Sequence, residues 1–245
     1  MAVLVTGATG ALGRRVVDRL VAAGQRVRIA SRRPRTDSPH EWTVVDYKTG
    51  AGLEDACRDV SAIVHCAYAP TNTSVEEALV AAARRAGRPH LVYVSIVGID
   101  RIPLFSYQAK LAAERLIADS GLPWTVLRAT QFHDLIFRGA ALLGRSPVVP
   151  ILPIRVQPID SGEVAGRLVE LATGAPAGRV PDIGGPQVRE VADLIRIYFR
   201  AKEKRRLLVP LRLPGRTYRA FRDGNNLTPD NAYGTITFEQ ALQAD

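Results

Sequence analysis

The amino-acid sequence predicts an α/β fold, a doubly wound parallel sheet followed by a small α+β part. Three observations carry that expectation. Residues 2–5, Ala-Val-Leu-Val, form an unbroken apolar run of the kind a strand buried on both faces needs. Gly7, Gly10 and Gly13 follow at three-residue spacing, and a helical period begins at once, with Leu12, Val16, Val17, Leu20 and Val21 on one face. Strand-like and helix-like segments then alternate over short connections to about residue 130.

Each later element follows from pattern and punctuation. Residues 25–30 read as the second strand, with Val27 and Ile29 inward. Residues 42–46 read as the third strand, 53–58 as a short helix and 62–67 as the fourth strand. A polar Thr71-Asn72-Thr73 turn opens a helix over 74–86, which Gly87 closes. Residues 90–95 are the fifth strand, 107–120 a helix closed by Gly121, and 124–128 the sixth strand. Right-handed crossovers wind such a sheet on both sides of its first strand. Past residue 130 the rhythm changes to a helix over 135–143 and a stretch broken by Pro147, Pro150, Pro153 and Pro158. Asp160 and Glu163 read as a capping box for a helix running to 171. The turn Gly184-Gly185-Pro186 precedes a helix over 188–200, a strand over 206–209 and a short helix over 238–242. The expected organisation is a nucleotide-binding core over 1–130 and a smaller substrate-binding part over 131–245 on the same domain, capping the sheet's carboxyl edge.

Composition narrows the class. The chain has 245 residues, 47% of them hydrophobic, which is ample for a core. No apolar stretch approaches the roughly 18 residues of a membrane span. The N-terminus lacks the basic region of a secretory signal. Cys57 and Cys66 are too few for a disulfide framework. A cytoplasmic protein with no membrane partner and no metal site is expected. The net charge of +9 is densest at residues 202–206, Lys-Glu-Lys-Arg-Arg, where no aromatic side chain interleaves. That run reads as solvated charge, and no nucleic-acid partner is expected. A homodimer is compatible with the sequence.

Strand, glycine turn and helix together make a phosphate cradle. Glycine lets the backbone turn sharply and approach a pyrophosphate, while a helix N-terminus offers unpaired N–H groups to an anion. The candidate contacts are Gly7, Thr9, Gly10, Ala11, Leu12 and Gly13. After the second strand come Ser31, Arg32 and Arg33, with no carboxylate before Asp37. A carboxylate there would repel a ribose 2′-phosphate, and a guanidinium grips one. Arg32 and Arg33 therefore predict NADP(H) over NAD(H), the alternative being two solvated arginines in a polar loop.

These features resemble the atypical short-chain dehydrogenase/reductase superfamily with its Rossmann core, and within it the NmrA-like, NAD(P)H-binding branch. The resemblance rests on the three glycines, on residues 92–98 (Val-Tyr-Val-Ser-Ile-Val-Gly), on 106–114 (Ser-Tyr-Gln-Ala-Lys-Leu-Ala-Ala-Glu) and on 122–131, which begin Leu-Pro-Trp. The Asp182-Ile-Gly-Gly-Pro186 turn and the tail over 221–242 share its character. It implies a dinucleotide whose adenine meets Asp46 and whose ribose lies against Ala67 at the ends of the third and fourth strands.

Reductases of this superfamily use a serine, a tyrosine and a lysine, the lysine four residues after the tyrosine. Ser95 matches the serine and Lys110 the lysine, which the resemblance also gives to the nicotinamide ribose. Ser106, not tyrosine, stands four residues before Lys110, and Tyr107 stands three before it. That is about 100° around the helix from the expected position, on a face residues three apart still share. Tyr107 is thus a catalytic candidate in an altered register. Ser95, Tyr107, Gln131, Phe132 and His133 are the expected substrate pocket, with His133 an alternative proton donor or a satisfied structural histidine. His65, inside an apolar strand, reads as structural. The function expected is an NADPH-dependent oxidoreductase passing hydride to a quinone, enone or ketone. The alternative is a non-catalytic NADP(H)-binding sensor of the NmrA-like type.

Overall fold

The computed structural model describes every residue except Thr36, Pro70 and Asp245. Its elements run β1 (Ala2–Thr6), α1 (Ala11–Ala22), β2 (Val27–Ser31), β3 (Glu41–Val44), α2 (Leu53–Cys57), β4 (Val60–His65) and α3 (Ser74–Arg85). There follow β5 (His90–Ile96), α4 (Phe105–Ala118), β6 (Trp124–Ala129), α5 (His133–Leu143), β7 (Val148–Ile151), β8 (Arg155–Val156) and α6 (Ser161–Thr173). The chain continues through β9 (Gly178–Arg179), β10 (Arg189–Glu190), α7 (Val191–Ala201), β11 (Leu207–Pro210), α8 (Arg216–Arg222) and α9 (Phe238–Gln243).

Two compact units interleave along this sequence. The first holds Met1–Ser95, Phe105–Leu127 and Gly162–Val180; the second holds Ile96–Leu104, Arg128–Ser161 and Pro181–Asp245. The division is therefore not the single boundary at residue 130 that the change of rhythm suggests. Most of α6 and all of β9 belong with the first unit, because β9 pairs in parallel beside β6 through Thr125–Gly178 and Val126–Arg179.

The first unit is built on a seven-stranded sheet in the order β3-β2-β1-β4-β5-β6-β9. β1 sits between β2 and β4, in parallel with both. Every residue of β1 is buried, as the unbroken apolar run requires. One core cluster gathers Leu4 and Ile63 from the sheet with Leu79 of α3 and Ile117 of α4. β1 thus lies where the strand order reverses direction, and the crevice beyond its carboxyl end is where this architecture binds ligands.

The second unit has its own core, in which Phe137 of α5, Leu194 and Phe199 of α7 and Phe238 of α9 pack together. Its strands are short pairs, β7 with β11 in parallel and β8 with β10 antiparallel. The helix expected from residue 188 begins at Val191, since Arg189 and Glu190 pair with Val156 and Arg155. Gln157 is buried and ties this unit's loops together: its amide donates to the Gly185 carbonyl (2.8 Å) and its oxygen accepts from the Thr228 N–H (2.9 Å).

Candidate cofactor and active site

The turn after β1 is closed by backbone on two sides. Gly7 has φ +66°, and a Cβ there would stand 2.6 Å from the Ala67 nitrogen and the Cys66 carbonyl carbon. Only glycine meets both demands. Gly13, in the first turn of α1, packs on the same loop, and a Cβ there would lie 2.2 Å from the Gly7 oxygen. Gly10 differs. It is exposed, with ordinary extended backbone (φ −79°, ψ 169°), and a Cβ would meet only the Gly7 oxygen, at 3.3 Å.

No side chain caps α1, and its first turn carries no acidic residue. The N–H groups of that turn lack intrahelical acceptors and carry the positive end of the helix dipole. The cradle thus fits a diphosphate: rigid at Gly7 and Gly13, open at Thr9, Gly10 and Ala11, with Leu12 half-buried.

Arg32 and Arg33 follow β2 and are exposed; among the described residues neither guanidinium has an ion-pair or hydrogen-bond partner. The Trp42 indole donates to the Arg33 carbonyl (2.8 Å) and fixes that loop. Asp46 lies just past β3, exposed, its carboxylate accepting the Lys48 N–H (2.8 Å), which holds its pKa below the ordinary value. Ala67 follows β4 and donates its N–H to the Thr6 hydroxyl (3.3 Å). These groups end β1, β2, β3 and β4, four adjacent strands of one sheet.

Ser95 and Lys110 belong to the same unit. Ser95 is buried near the end of β5, and its hydroxyl has no hydrogen-bond partner among the described residues. Lys110, on α4, is buried at 9% exposure. Its ammonium donates to the Tyr93 hydroxyl (3.2 Å) and lies over the rings of Tyr93 and Tyr68, 4.4 and 5.0 Å from their centroids. Burial pulls its pKa down to about 8, against the opposing pull of Glu76, Cys66 and Glu114.

Tyr107 is half-buried on α4, its pKa raised by burial and then by Tyr68. Tyr68 is the phenol that the sequence does not single out. Its hydroxyl donates to the Ser106 carbonyl (3.3 Å), so it touches the helix at the position four residues before Lys110. The signal for it is weak, a lone tyrosine in a loop after β4.

Gln131, Phe132 and His133 lie in the second unit. His133 is 1% exposed at the start of α5 and stacks with Phe137 (6.3 Å). Its Nε2 contacts the Ile236 carbonyl (3.1 Å). A carbonyl only accepts, so Nε2 carries the hydrogen. This histidine is buried within its unit, its ring against Phe137 and Phe238. Gln131 and Phe132 are half-buried, and Phe132 bridges to Ile159.

Behind Lys110 runs a polar chain that sequence reasoning missed. Tyr93 donates to the Glu76 carboxylate (3.4 Å), His65 Nε2 stands 3.7 Å from the same oxygen, and the Thr6 hydroxyl meets His65 Nδ1 (2.6 Å). Burial raises the Glu76 carboxyl, but His65 and Lys110 outweigh it and leave the pKa below its ordinary value.

Among the described residues, no helix is long and apolar enough to cross a membrane. A family model described as NAD(P)H-binding matches residues 7–146. The (4-alkanoyl-5-oxo-2,5-dihydrofuran-3-yl)methyl phosphate reductase of Streptomyces griseus is 33% identical over 211 residues, 81% of this chain and 74% of that one. Quinone oxidoreductase 2 of Escherichia coli is 27% identical over 135 residues, 51% of this chain and 47% of that one. The structure of an NADPH-dependent quinone oxidoreductase from Escherichia coli, complexed with NADPH, superposes with a TM-score of 0.86 at 17% identity, over 99% of both chains.

Proposed function

Since the chain belongs to the NAD(P)H-binding family, we propose that it is a reductase of the NmrA-like branch of the atypical short-chain dehydrogenases/reductases, that it prefers NADPH, and that it acts on conjugated carbonyl compounds, quinones or enones before simple ketones. Its NAD(P)H-dependent oxidoreductase chemistry comes with the family and with the reductases it is similar to; cofactor form, substrate class and residue roles are the proposal.

The observation that carries the reading is Lys110, an ammonium buried on α4 with Tyr93 as its one hydrogen-bonding oxygen partner among the described residues. An ammonium has three donors, so up to two remain to offer the ribose of the nucleotide. Bound NAD(P)H supplies a hydride from its nicotinamide. Lys110 biases the local potential toward negative charge developing on a substrate oxygen. Ser95 offers that oxygen a hydroxyl not used by the protein. Tyr107, or Tyr68 above Lys110, supplies the proton. At the other end, Thr9, Gly10 and Ala11 receive the diphosphate, Asp46 and Ala67 the adenosine, and Arg32 and Arg33 a 2′-phosphate.

The substrate class follows from the proton supply. Neither phenol occupies the tyrosine register of the related reductases. A conjugated acceptor spreads its product anion over several atoms and depends less on a well-placed acid. The named substrate of the Streptomyces reductase carries a ring double bond conjugated to two carbonyls, and quinones share that feature.

The test is incubation with NADPH and a panel of quinones, enones and ketones, following the nicotinamide absorbance. Loss of absorbance with conjugated acceptors, slower with NADH, is expected. Saturable NADPH binding without turnover across the panel would overturn the reading in favour of a sensor.

A further inference from the structure

A hydrogen-bonded bridge joins Lys110 to a buried carboxylate, and the direction of each of its bonds is fixed by chemistry. Lysine has only donors, so Lys110 donates to the Tyr93 oxygen, and the Tyr93 hydroxyl is left to donate to Glu76. On the other side the Thr6 hydroxyl accepts the Ala67 N–H and meets His65 Nδ1 at 2.6 Å. His65 Nε2 stands 3.7 Å from Glu76, beyond hydrogen-bonding distance. Tyr93 and His65 are fully buried and Glu76 is 2% exposed. Tyr93 thus points its hydrogen at Glu76, and the His65 ring stands beside the same oxygen. A buried carboxylate persists only where cations and donors compensate it, and a buried ammonium has the converse need.

We propose that Glu76 is a positioning residue for Lys110: acting through the Tyr93 hydroxyl, it holds the ammonium charged and in place. The inference rests on the proposed role of Lys110 only for its functional consequence. Lys110 faces Glu76 from α3, Tyr93 from β5, Cys66 and Tyr68 from the segment after β4, and Glu114 one turn along α4. Cys66 is held protonated by burial, its pKa near 12, so Glu76 and Glu114 are the carboxylates in its field. Glu76 is the one joined to it through a hydrogen-bonded bridge.

The chain makes a direct test practical. Its lysines are Lys48, Lys110, Lys202 and Lys204, so side-chain NMR of lysine-labelled protein gives few signals, and Lys110→Arg identifies the one of interest. The free protein is titrated, with no nucleotide present. In Glu76→Gln the Lys110 midpoint is expected to fall by about one pH unit or more, the scale of losing a close opposite charge. In Tyr93→Phe, which keeps the ring and removes the bridge, it falls in the same direction by less. The second variant decides the matter if the first does not fold. A Lys110 midpoint unchanged in the folded variants overturns the proposal. NADPH binding by the wild-type protein is measured separately. Its absence would sink the proposed function and leave the Lys110–Glu76 link to be judged by the titration.

Discussion

Gly13 and Gly10 lie one helical turn apart, and the structure assigns them separable effects. In Gly13→Ala the new Cβ meets backbone, 2.2 Å from the Gly7 oxygen and 2.8 Å from the Ala8 Cα. Ordinary contact begins near 3.4 Å, so turn and helix must part by roughly 1 Å. Alanine favours a helix by about 1 kcal/mol over glycine. Overpacking against rigid backbone costs about 1–3 kcal/mol. A net loss of up to about 2 kcal/mol is expected, which lowers Tm by several degrees for a chain of this size. The same displacement spoils the cradle, and a shift of about 1 Å can cost on the order of 100-fold where groups must be aligned. NADPH affinity should therefore fall at least about tenfold, or ~1.4 kcal/mol. Gly10→Val is the contrast. Its backbone suits any residue, so Tm stays within about a degree, as for most surface substitutions. Its side chain stands over the exposed N–H groups of α1, and NADPH binding is lost. Fluorescence titration and thermal melts read both variants. Gly13→Ala with unchanged Tm and affinity, or Gly10→Val binding NADPH normally, would refute the reasoning.

Other outcomes follow from the same geometry. Arg32→Ala with Arg33→Ala should weaken NADPH binding about tenfold or more while leaving NADH within about twofold, since charge-assisted bonds are worth ~1.5–3 kcal/mol; equal losses for both nucleotides would remove the 2′-phosphate role. Tyr68→Phe and Tyr107→Phe, compared by kcat on one quinone, identify the proton donor, whose loss should cost about 100-fold, and no change in either would assign the proton to water. His133→Phe should lower stability by about 1 kcal/mol by removing the buried hydrogen bond to the Ile236 carbonyl, with kcat nearly unchanged; a collapse of kcat at full stability would return His133 to the site. Lys110 titrates near pH 8 when folded and near its ordinary 10.5 when unfolded. Between those values the unfolded chain binds more protons, so this group's contribution to stability rises with pH. NADPH affinity should fall over the same window, and Lys110→Met should flatten both dependences.

Much of the first unit was legible in the sequence because its signals are local and strong. β1 is apolar at every position because both faces are covered, and its glycines stand where backbone meets backbone. The second unit was harder to read. β8, β9 and β10 are two residues long, too short for any alternation, and β7 contains Pro150. α8 was missed because arginine occupies Arg216, Arg219 and Arg222 of its seven residues, so it shows little apolar face.

In the site, Lys110 was readable from its motif, but Glu76 was not. Glu76 and Glu77 both sit in the first turn of α3, where acidic residues are ordinary solvated partners of the helix dipole. One residue of helical rotation decides that Glu77 is exposed and Glu76 is buried against Tyr93. Tyr93 and His65 likewise read as strand core. Their polar ends matter only once β4 and β5 lie side by side.

The placement of β9 beside β6 has a consequence for biosynthesis. A ribosome releases the six long strands of the sheet well before residues 178 and 179, so the nascent chain carries β6 with an uncovered hydrogen-bonding edge while some fifty further residues are made. The two-residue β9 closes that edge late. A product released near residue 130 would keep the nucleotide cradle yet expose a sticky border, so truncation should yield aggregates before it yields a minimal binding domain.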